Sequence, residues 1–204
     1  MSNALDRRTV LNSLLLTAAT SSVSGAGPAQ SPASHGLAGT LLASGPHPSL
    51  GHHADTFGRL IGSWAGHYRD RDETGAVEEG PMEVHFGWVL DGRAVQDTFI
   101  APPRGVAASP NSARRTYGTT IRVFDPKTES WLAVWRNPIT GARDDLVGRR
   151  VGDDIVNFCT VDGRPEKWIF TQIKPESFLW QAFSLGNDGL TWELGTDFRL
   201  HRIA

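Results

Sequence analysis

From residue 55 to the C-terminus the sequence predicts an all-β domain: an up-and-down antiparallel barrel of about ten strands, preceded by a short helix. Three observations predict it. Apolar and polar residues alternate in short runs, the pattern of strands buried on one face. Turn-forming residues separate the runs at intervals too short for a crossover, so neighbouring runs pair antiparallel. An open sheet of this many strands would leave two unpaired edges and an apolar face in water, and closing it into a barrel removes both. A two-sheet sandwich is the alternative, but it needs longer crossovers than most of these connections allow.

Composition narrows the class of protein. The 204 residues carry 20 Lys and Arg against 22 Asp and Glu, a net charge of -2, so there is no basic surface to argue for nucleic acid. A lone cysteine, Cys159, closes no internal disulfide and builds no Cys-rich metal site. Charge is also unevenly placed. No Asp, Glu, Lys or Arg lies between Thr9 and Ala54, and from Asp55 onward the chain holds 21 acidic and 18 basic residues.

Residues 1 to 29 read as a signal peptide. Arg7-Arg8 closes a basic start, an apolar run follows from Val10 through Leu14-Leu15-Leu16 to Ala19, and small residues at Ser24, Ala26, Gly27 and Ala29 suit cleavage. The stretch Asp6-Arg7-Arg8-Thr9-Val10-Leu11-Asn12 resembles the twin-arginine export motif. Export to the periplasm or beyond is therefore expected, the alternative being an N-terminal helix of a cytosolic protein. The apolar run is broken by Asn12, Ser13 and Thr17 and falls short of the roughly 20 residues that span a bilayer, so no stable membrane anchor is expected. Residues 30 to 54 are mainly Ser, Pro, Gly, Ala, His and Leu, which predicts a disordered linker with solvated histidines.

The barrel domain, residues 55 to 204, begins where charge returns. Asp55-Thr56 is expected to cap a brief helix that carries Phe57, Leu60 and Ile61 on one side and ends at Gly62. Strands are then predicted at 63 to 71, 80 to 90, 93 to 100, 116 to 124, 130 to 137, 143 to 151, 154 to 160, 165 to 173, 178 to 185 and 190 to 201. Asp72-Glu73-Thr74-Gly75, Asp91-Gly92, Asp125-Pro126-Lys127-Thr128, Gly152-Asp153, Asp162-Gly163, Pro175-Glu176 and Asn187-Asp188-Gly189 supply the turns. The single long connection, Ala101 to Arg115, is rich in Pro, Gly, Ala and Ser and is a candidate lid.

Turn length sets register, and register says what points inward. A two-residue turn at Asp91-Gly92 faces Leu90 with Arg93, Trp88 with Val95 and Phe86 with Asp97, all on one side. His85, Gly87, Val89, Ala94, Gln96 and Thr98 occupy the other, more polar side and suit solvent. In the next hairpin Phe124 faces Trp131, Arg122 faces Ala133 and Thr120 faces Trp135, while Ile121, Val123, Leu132 and Val134 form the opposite face. Both faces are apolar there, so periodicity does not choose between them. The face left outside needs a cover from the helix, the long loop or a second copy of the chain, which makes a homodimer one expected arrangement.

Seven tryptophans, Trp64, Trp88, Trp131, Trp135, Trp168, Trp180 and Trp192, are the strongest chemical feature of the chain. Each brings a large apolar surface and an N–H that wants a partner. Any one of them can simply fill the core. As a set, with Asp97, Arg122 and Asn137 on the inferred inner side, they describe an aromatic-walled pocket with a few polar groups. A buried Asp97 needs a donor such as Arg93, Arg122 or an indole N–H. It is a candidate acid or base if it titrates high, and a structural ion pair with an arginine of a neighbouring strand otherwise.

Familiar catalytic patterns are absent: no nucleophile elbow, no glycine-rich phosphate loop and no histidine pair at zinc spacing. Cys159 lies mid-strand after Phe158 and reads as an inert small hydrophobe. Glu78-Glu79, Asp144-Asp145 and Asp153-Asp154 are adjacent, so on a strand their side chains point to opposite faces.

Leu60-Ile61-Gly62-Ser63-Trp64 resembles the Gly-x-Trp opening of lipocalins and fatty-acid-binding proteins, the calycins. More closely, Phe86-Gly87-Trp88-Val89-Leu90-Asp91-Gly92-Arg93-Ala94-Val95-Gln96-Asp97, Val123-Phe124-Asp125-Pro126-Lys127, Trp135-Arg136-Asn137-Pro138, Trp168-Ile169-Phe170 and Phe178-x-Trp180 resemble a large bacterial family of lipocalin-like proteins of unknown function. The resemblance spans residues 55 to 204. It implies a calycin barrel, marks Trp88, Arg93, Gln96, Asp97, Trp135 and Asn137 as motif positions, and implies no reaction, because fold is not function.

The expected function is therefore that of an exported barrel binding a small apolar or aromatic molecule. The residues expected to contact it are Trp64, Phe86, Trp88, Asp97, Arg122, Trp135, Asn137, Trp168 and Trp180. No metal site, cofactor or assigned catalytic residue accompanies this reading. An enzyme of the lipocalin-like type, an isomerase, cyclase or hydrolase using Asp97, is the alternative. A second alternative is haem binding. Gly62 to Gly66 and His201 resemble nitrobindin, although the longer glycine repeat after the tryptophan is missing.

Overall fold

The structure is a computed structural model and describes residues 36–72, 74–106 and 116–203. The expected signal peptide, the linker up to residue 35 and residues 107–115 of the long connection lie outside the described residues.

A short helix α1 (Leu37–Leu41), a two-residue strand β1 (Leu42–Ala43), a 3-10 segment (Pro48–His53) and helix α2 (Ala54–Gly58) precede the sheet. Then come β2 (Gly62–Arg71), β3 (Val77–Val89), β4 (Ala94–Ala101), β5 (Thr116–Asp125), β6 (Ser130–Asn137), β7 (Ala142–Val151), β8 (Asp154–Val161), β9 (Arg164–Lys174), β10 (Ser177–Leu185) and β11 (Trp192–Arg202). Each strand from β2 to β11 pairs antiparallel with its successor, and β11 pairs back onto β2 from Thr196↔Asp70 to Arg202↔Trp64. The sheet is thus a closed ten-stranded up-and-down barrel, as the alternation and the short turns predict. Strand limits differ from the sequence reading by three residues at most. Closure brings β2 very near β11 at Gly66, where a Cβ would lie 2.0 Å from the carbonyl oxygen of Arg199, so no larger residue fits there.

The end of the barrel where β2 begins is solid. Phe57 and Leu60, both fully buried, lie with Trp64, Phe86, Trp131, Phe170 and Phe178 in one core cluster. Phe57 meets Trp131 and Phe170 edge-on at 5.2 and 6.1 Å, and Trp64 meets Phe178 at 4.8 Å. The helix that carries Phe57 starts differently from expectation. His53 is the N-cap residue, and Asp55 turns outward to pair with Arg150 at 2.9 Å.

Three further expectations need correction. Residues 36–54, read as disordered linker, take regular structure against the barrel. The reason is a backbone need that composition does not show. β2 covers β3 only up to Gly62↔Phe86, which leaves the last residues of β3 with a bare edge, and β1 takes it through Leu42↔Val89 and Ala43↔Trp88. Leu50 is buried and the His53 ring stacks on Phe124 at 4.1 Å. Second, Val89 and Ala94, expected to face solvent, are buried, and β1 pairs with β3 at this end. Third, Leu90 and Arg93 do not face inward. The β3–β4 ladder ends at Val89↔Ala94, and Leu90, Asp91 and Gly92 have φ of 53°, 59° and 72°, which puts Leu90 and Arg93 in an exposed turn.

For β5 and β6 the structure makes the choice that periodicity left open. The predicted pairs Phe124↔Trp131, Arg122↔Ala133 and Thr120↔Trp135 all form. Their face points inward, with Thr120, Arg122, Trp131 and Ala133 buried, while Val123 and Leu132 are each 47 % exposed.

Candidate functional site

Toward the opposite end of the barrel the side chains leave a cavity of about 250 Å³. Strand alternation explains it. Inward positions on this half carry small or medium residues, Ala101, Thr116, Thr120, Ala133, Leu146, Asn157 and Thr196, between tall aromatic ones. Ala101 and Thr116, the strand residues on either side of the long connection, both line the cavity.

The floor is Arg122, which pairs with Asp97. Asp97 and Arg122 sit on adjacent strands and are 1 % and 4 % exposed, with Arg122 Nη1 at 2.5 Å from Asp97 Oδ2. The backbone N–H of Thr120 donates to Asp97 Oδ1 at 2.8 Å. Burial pushes the Asp97 carboxyl above its ordinary range, opposed by the Arg122 guanidinium and the Thr120 donor. The guanidinium carbon of Arg122 lies 4.9, 5.7 and 5.8 Å from the ring centres of Phe57, Phe86 and Phe170. Arg122 Nε is buried and has no hydrogen-bond partner among the described residues.

The walls are aromatic. Trp135 lies over Gly118, where a Cβ would come within 2.2 Å of the indole, and meets Phe99 edge-on at 5.8 Å. Trp180 stacks on Phe198 with centroids 4.5 Å apart and planes 11° from parallel, and Trp168 stands edge-on to Trp180 at 5.7 Å. Trp168 is held by its Nε1, which donates to Glu166 Oε2 at 2.7 Å, while Ser184 Oγ donates to Glu166 Oε1 at 2.9 Å. Toward the mouth, Thr196 Oγ1 donates to Asp70 Oδ1 at 2.7 Å.

Of the residues expected to contact a ligand, the structure brings Arg122, Trp135, Trp168 and Trp180 onto one cavity wall. It places the others elsewhere. Trp64 and Phe86 belong to the solid core, and Trp64 Nε1 donates to the Leu60 carbonyl at 2.8 Å. Trp88 packs toward Gly58, whose Cβ position is 3.2 Å from its ring. Asp97 lies behind Arg122 and does not form part of the lining. Asn137 closes its own turn, accepting at Oδ1 from the Ile139 N–H at 3.1 Å. Tyr68, Phe99 and Phe198 line the cavity without having been singled out from the sequence. Strand parity places Phe99 and Tyr68 beside Asp97 and Trp64 on the inner face, and that signal was available.

The residues of the two alternatives take clear positions. Asp97 is buried outside the cavity lining with the guanidinium of Arg122 on its Oδ2, an arrangement that favours a structural ion pair over a general base. His201 is exposed, with its neighbour Leu200 buried inward, so it points away from the interior. Among the described residues no histidine lines the cavity. Cys159 is half-buried, and burial together with Glu166 and Asp144 pushes its thiol up to about 12.

No family model matches the chain, and no curated protein matches it. Solved structures do. The chain is similar to the S-type phycobiliprotein lyase CPES from Guillardia theta, at 12 % identity over 74 % of this chain and 92 % of that one, with a TM-score of 0.49. It is also similar to Rv2717c from M. tuberculosis, at 17 % identity over 78 % of this chain and 99 % of that one, with a TM-score of 0.50. At such identities the likeness speaks to fold alone, and the fold of this chain is the closed ten-stranded antiparallel barrel described above.

Proposed function

We propose that the protein binds one small, largely apolar or aromatic molecule inside the barrel. The observation that carries this reading is the contrast between the two halves. One end is packed solid by Phe57, Leu60, Trp64, Phe170 and Phe178, whereas the other keeps about 250 Å³ between Phe99, Trp135, Trp168, Trp180 and Phe198. A barrel that needed only stability would fill that space, because each buried aromatic side chain contributes about 2 to 3 kcal/mol. Aromatic walls with a few placed polar groups, here with Arg122 at the floor, are the usual build of a small-molecule site. At about 250 Å³ the space is slightly below the usual 300 to 1,000 Å³ range, which limits the guest to one or two fused rings.

Isothermal titration calorimetry across a set of one- and two-ring apolar compounds tests the reading. Saturable binding with Kd in the micromolar range, lost when Ala133 is enlarged, supports it. No binding across the set sinks it.

Export is part of the same proposal. It rests on Arg7-Arg8 ahead of a weakly apolar run, so replacing both arginines with lysine should leave the protein in the cytoplasm on cell fractionation. Membership of the bacterial lipocalin-like family rests in the same way on the Leu90-Asp91-Gly92-Arg93-Ala94-Val95-Gln96-Asp97 block.

A further inference from the structure

We propose that the guest is an uncharged, flat molecule carrying one carbonyl-type acceptor, such as a ketone or lactone, which it turns toward Arg122. The inference rests on the binding reading above and names the class of molecule that site selects.

Among the described residues Arg122 is the only basic side chain on the cavity wall, and its charge is already matched. Asp97 holds Nη1 at 2.5 Å, and the three phenylalanine rings at 4.9 to 5.8 Å surround the guanidinium on other sides. What remains is donor capacity without net charge. A guanidinium carries five N–H groups, Asp97 engages Nη1, and the side chain lines the cavity. A carboxylate brought here would lose its water and meet an Arg–Asp pair whose fields largely cancel, so its desolvation would go uncompensated. It would also pass carboxylates of the protein's own. Asp144 and Glu166 share the inner face of β7 and β9 with Leu146 and Trp168. A neutral carbonyl escapes both penalties and still gives the guanidinium an acceptor. The parallel Trp180 and Phe198 rings present an extended flat surface beside that donor, which favours a planar body over a branched or flexible one.

Three probes of nearly one shape separate the possibilities: 2-acetylnaphthalene, 2-naphthoate and 2-ethylnaphthalene, titrated calorimetrically into the full chain. The expected result is that the ketone binds about ten-fold or more tighter than either of the others, as a hydrogen bond to a charged donor implies. The double variant Asp97→Leu with Arg122→Met removes the pair without leaving a lone buried charge. It should bind the ketone and the hydrocarbon equally, with circular dichroism confirming the fold. If this variant does not fold, Arg122→Lys serves in its place and should reduce the preference for the ketone. Naphthoate binding as tightly as the ketone, or the hydrocarbon doing so, overturns the carbonyl assignment while leaving a ligand-binding barrel. Failure of all three probes to bind overturns both.

Discussion

The indole N–H of Trp168 and the carboxylate of Glu166, two residues apart on β9, are joined by a hydrogen bond of 2.7 Å on the inner face of the barrel. Ser184, on the neighbouring β10, donates to the second oxygen of the same carboxylate at 2.9 Å. Glu166 therefore sets the angle of one cavity wall without lining the cavity itself. In Glu166→Leu the indole and the hydroxyl lose their acceptor together. A loss of about 1 to 3 kcal/mol in chemical unfolding is expected, with a several-fold weaker ligand Kd and a broader Trp emission. Glu166→Gln, which keeps an acceptor oxygen, should recover most of the affinity. If affinity in Glu166→Leu is unchanged, the wall does not depend on this contact.

The Asp97–Arg122 pair predicts an asymmetry between single and double variants. Arg122→Met strands a buried carboxylate and should destabilise the fold by about 3 to 5 kcal/mol, whereas removing both partners should cost far less. Denaturant midpoints measure the difference.

The same pair gives a pH signature. Burial holds the Asp97 carboxyl above its ordinary value of 3.8. A group raised on folding favours the folded state fully below its unfolded value, and that contribution is lost as the pH climbs through the raised one. Arg122→Met, which removes the opposing pull, should enlarge the effect and melt at a higher temperature near pH 5 than near pH 7.5. Equal melting temperatures at both would show that Asp97 stays ionised in the variant.

Cys159 should be nearly inert. Its thiol is pushed from 9.0 up to about 12 by burial and by the carboxylates of Glu166 and Asp144. Near pH 8 the thiolate is then about a thousand-fold scarcer than in the unfolded chain, and alkylation by iodoacetamide should slow accordingly. Denaturing the protein restores the rate. Comparable rates in the folded and unfolded protein would contradict the burial.

Ala133 and Gly118 offer opposite ways of closing the site. Ala133 lines the cavity beside Arg122, so Ala133→Phe should fill the space and abolish ligand binding while the fold persists. Gly118→Ala places a carbon 2.2 Å from the Trp135 ring and must displace it, at about 1 to 3 kcal/mol of stability and with weaker binding. Thermal melts and calorimetry on both variants separate occlusion from wall distortion.

What the sequence by itself determined is what local chemistry controls. Turn residues and period-two alternation placed all ten strands, and turn length placed the registers Phe86↔Asp97 and Thr120↔Trp135, because a hairpin's pairing is settled within a few residues of its turn. The tertiary structure decided the rest. Between 116 and 137 both faces of the hairpin are apolar, so alternation allows either, and only closure of the barrel put Arg122 against Asp97 and left Val123 and Leu132 outside. Residues 36–54 lacked a hydrophobic pattern of their own, yet an unpaired edge on β3 and the ring of Phe124 recruited them. Which tryptophans fill and which line depended on where α2 and the turn after it insert Phe57 and Leu60 into one end of the barrel. Packing of that kind is a sum over residues far apart in the chain, and no window of sequence contains it.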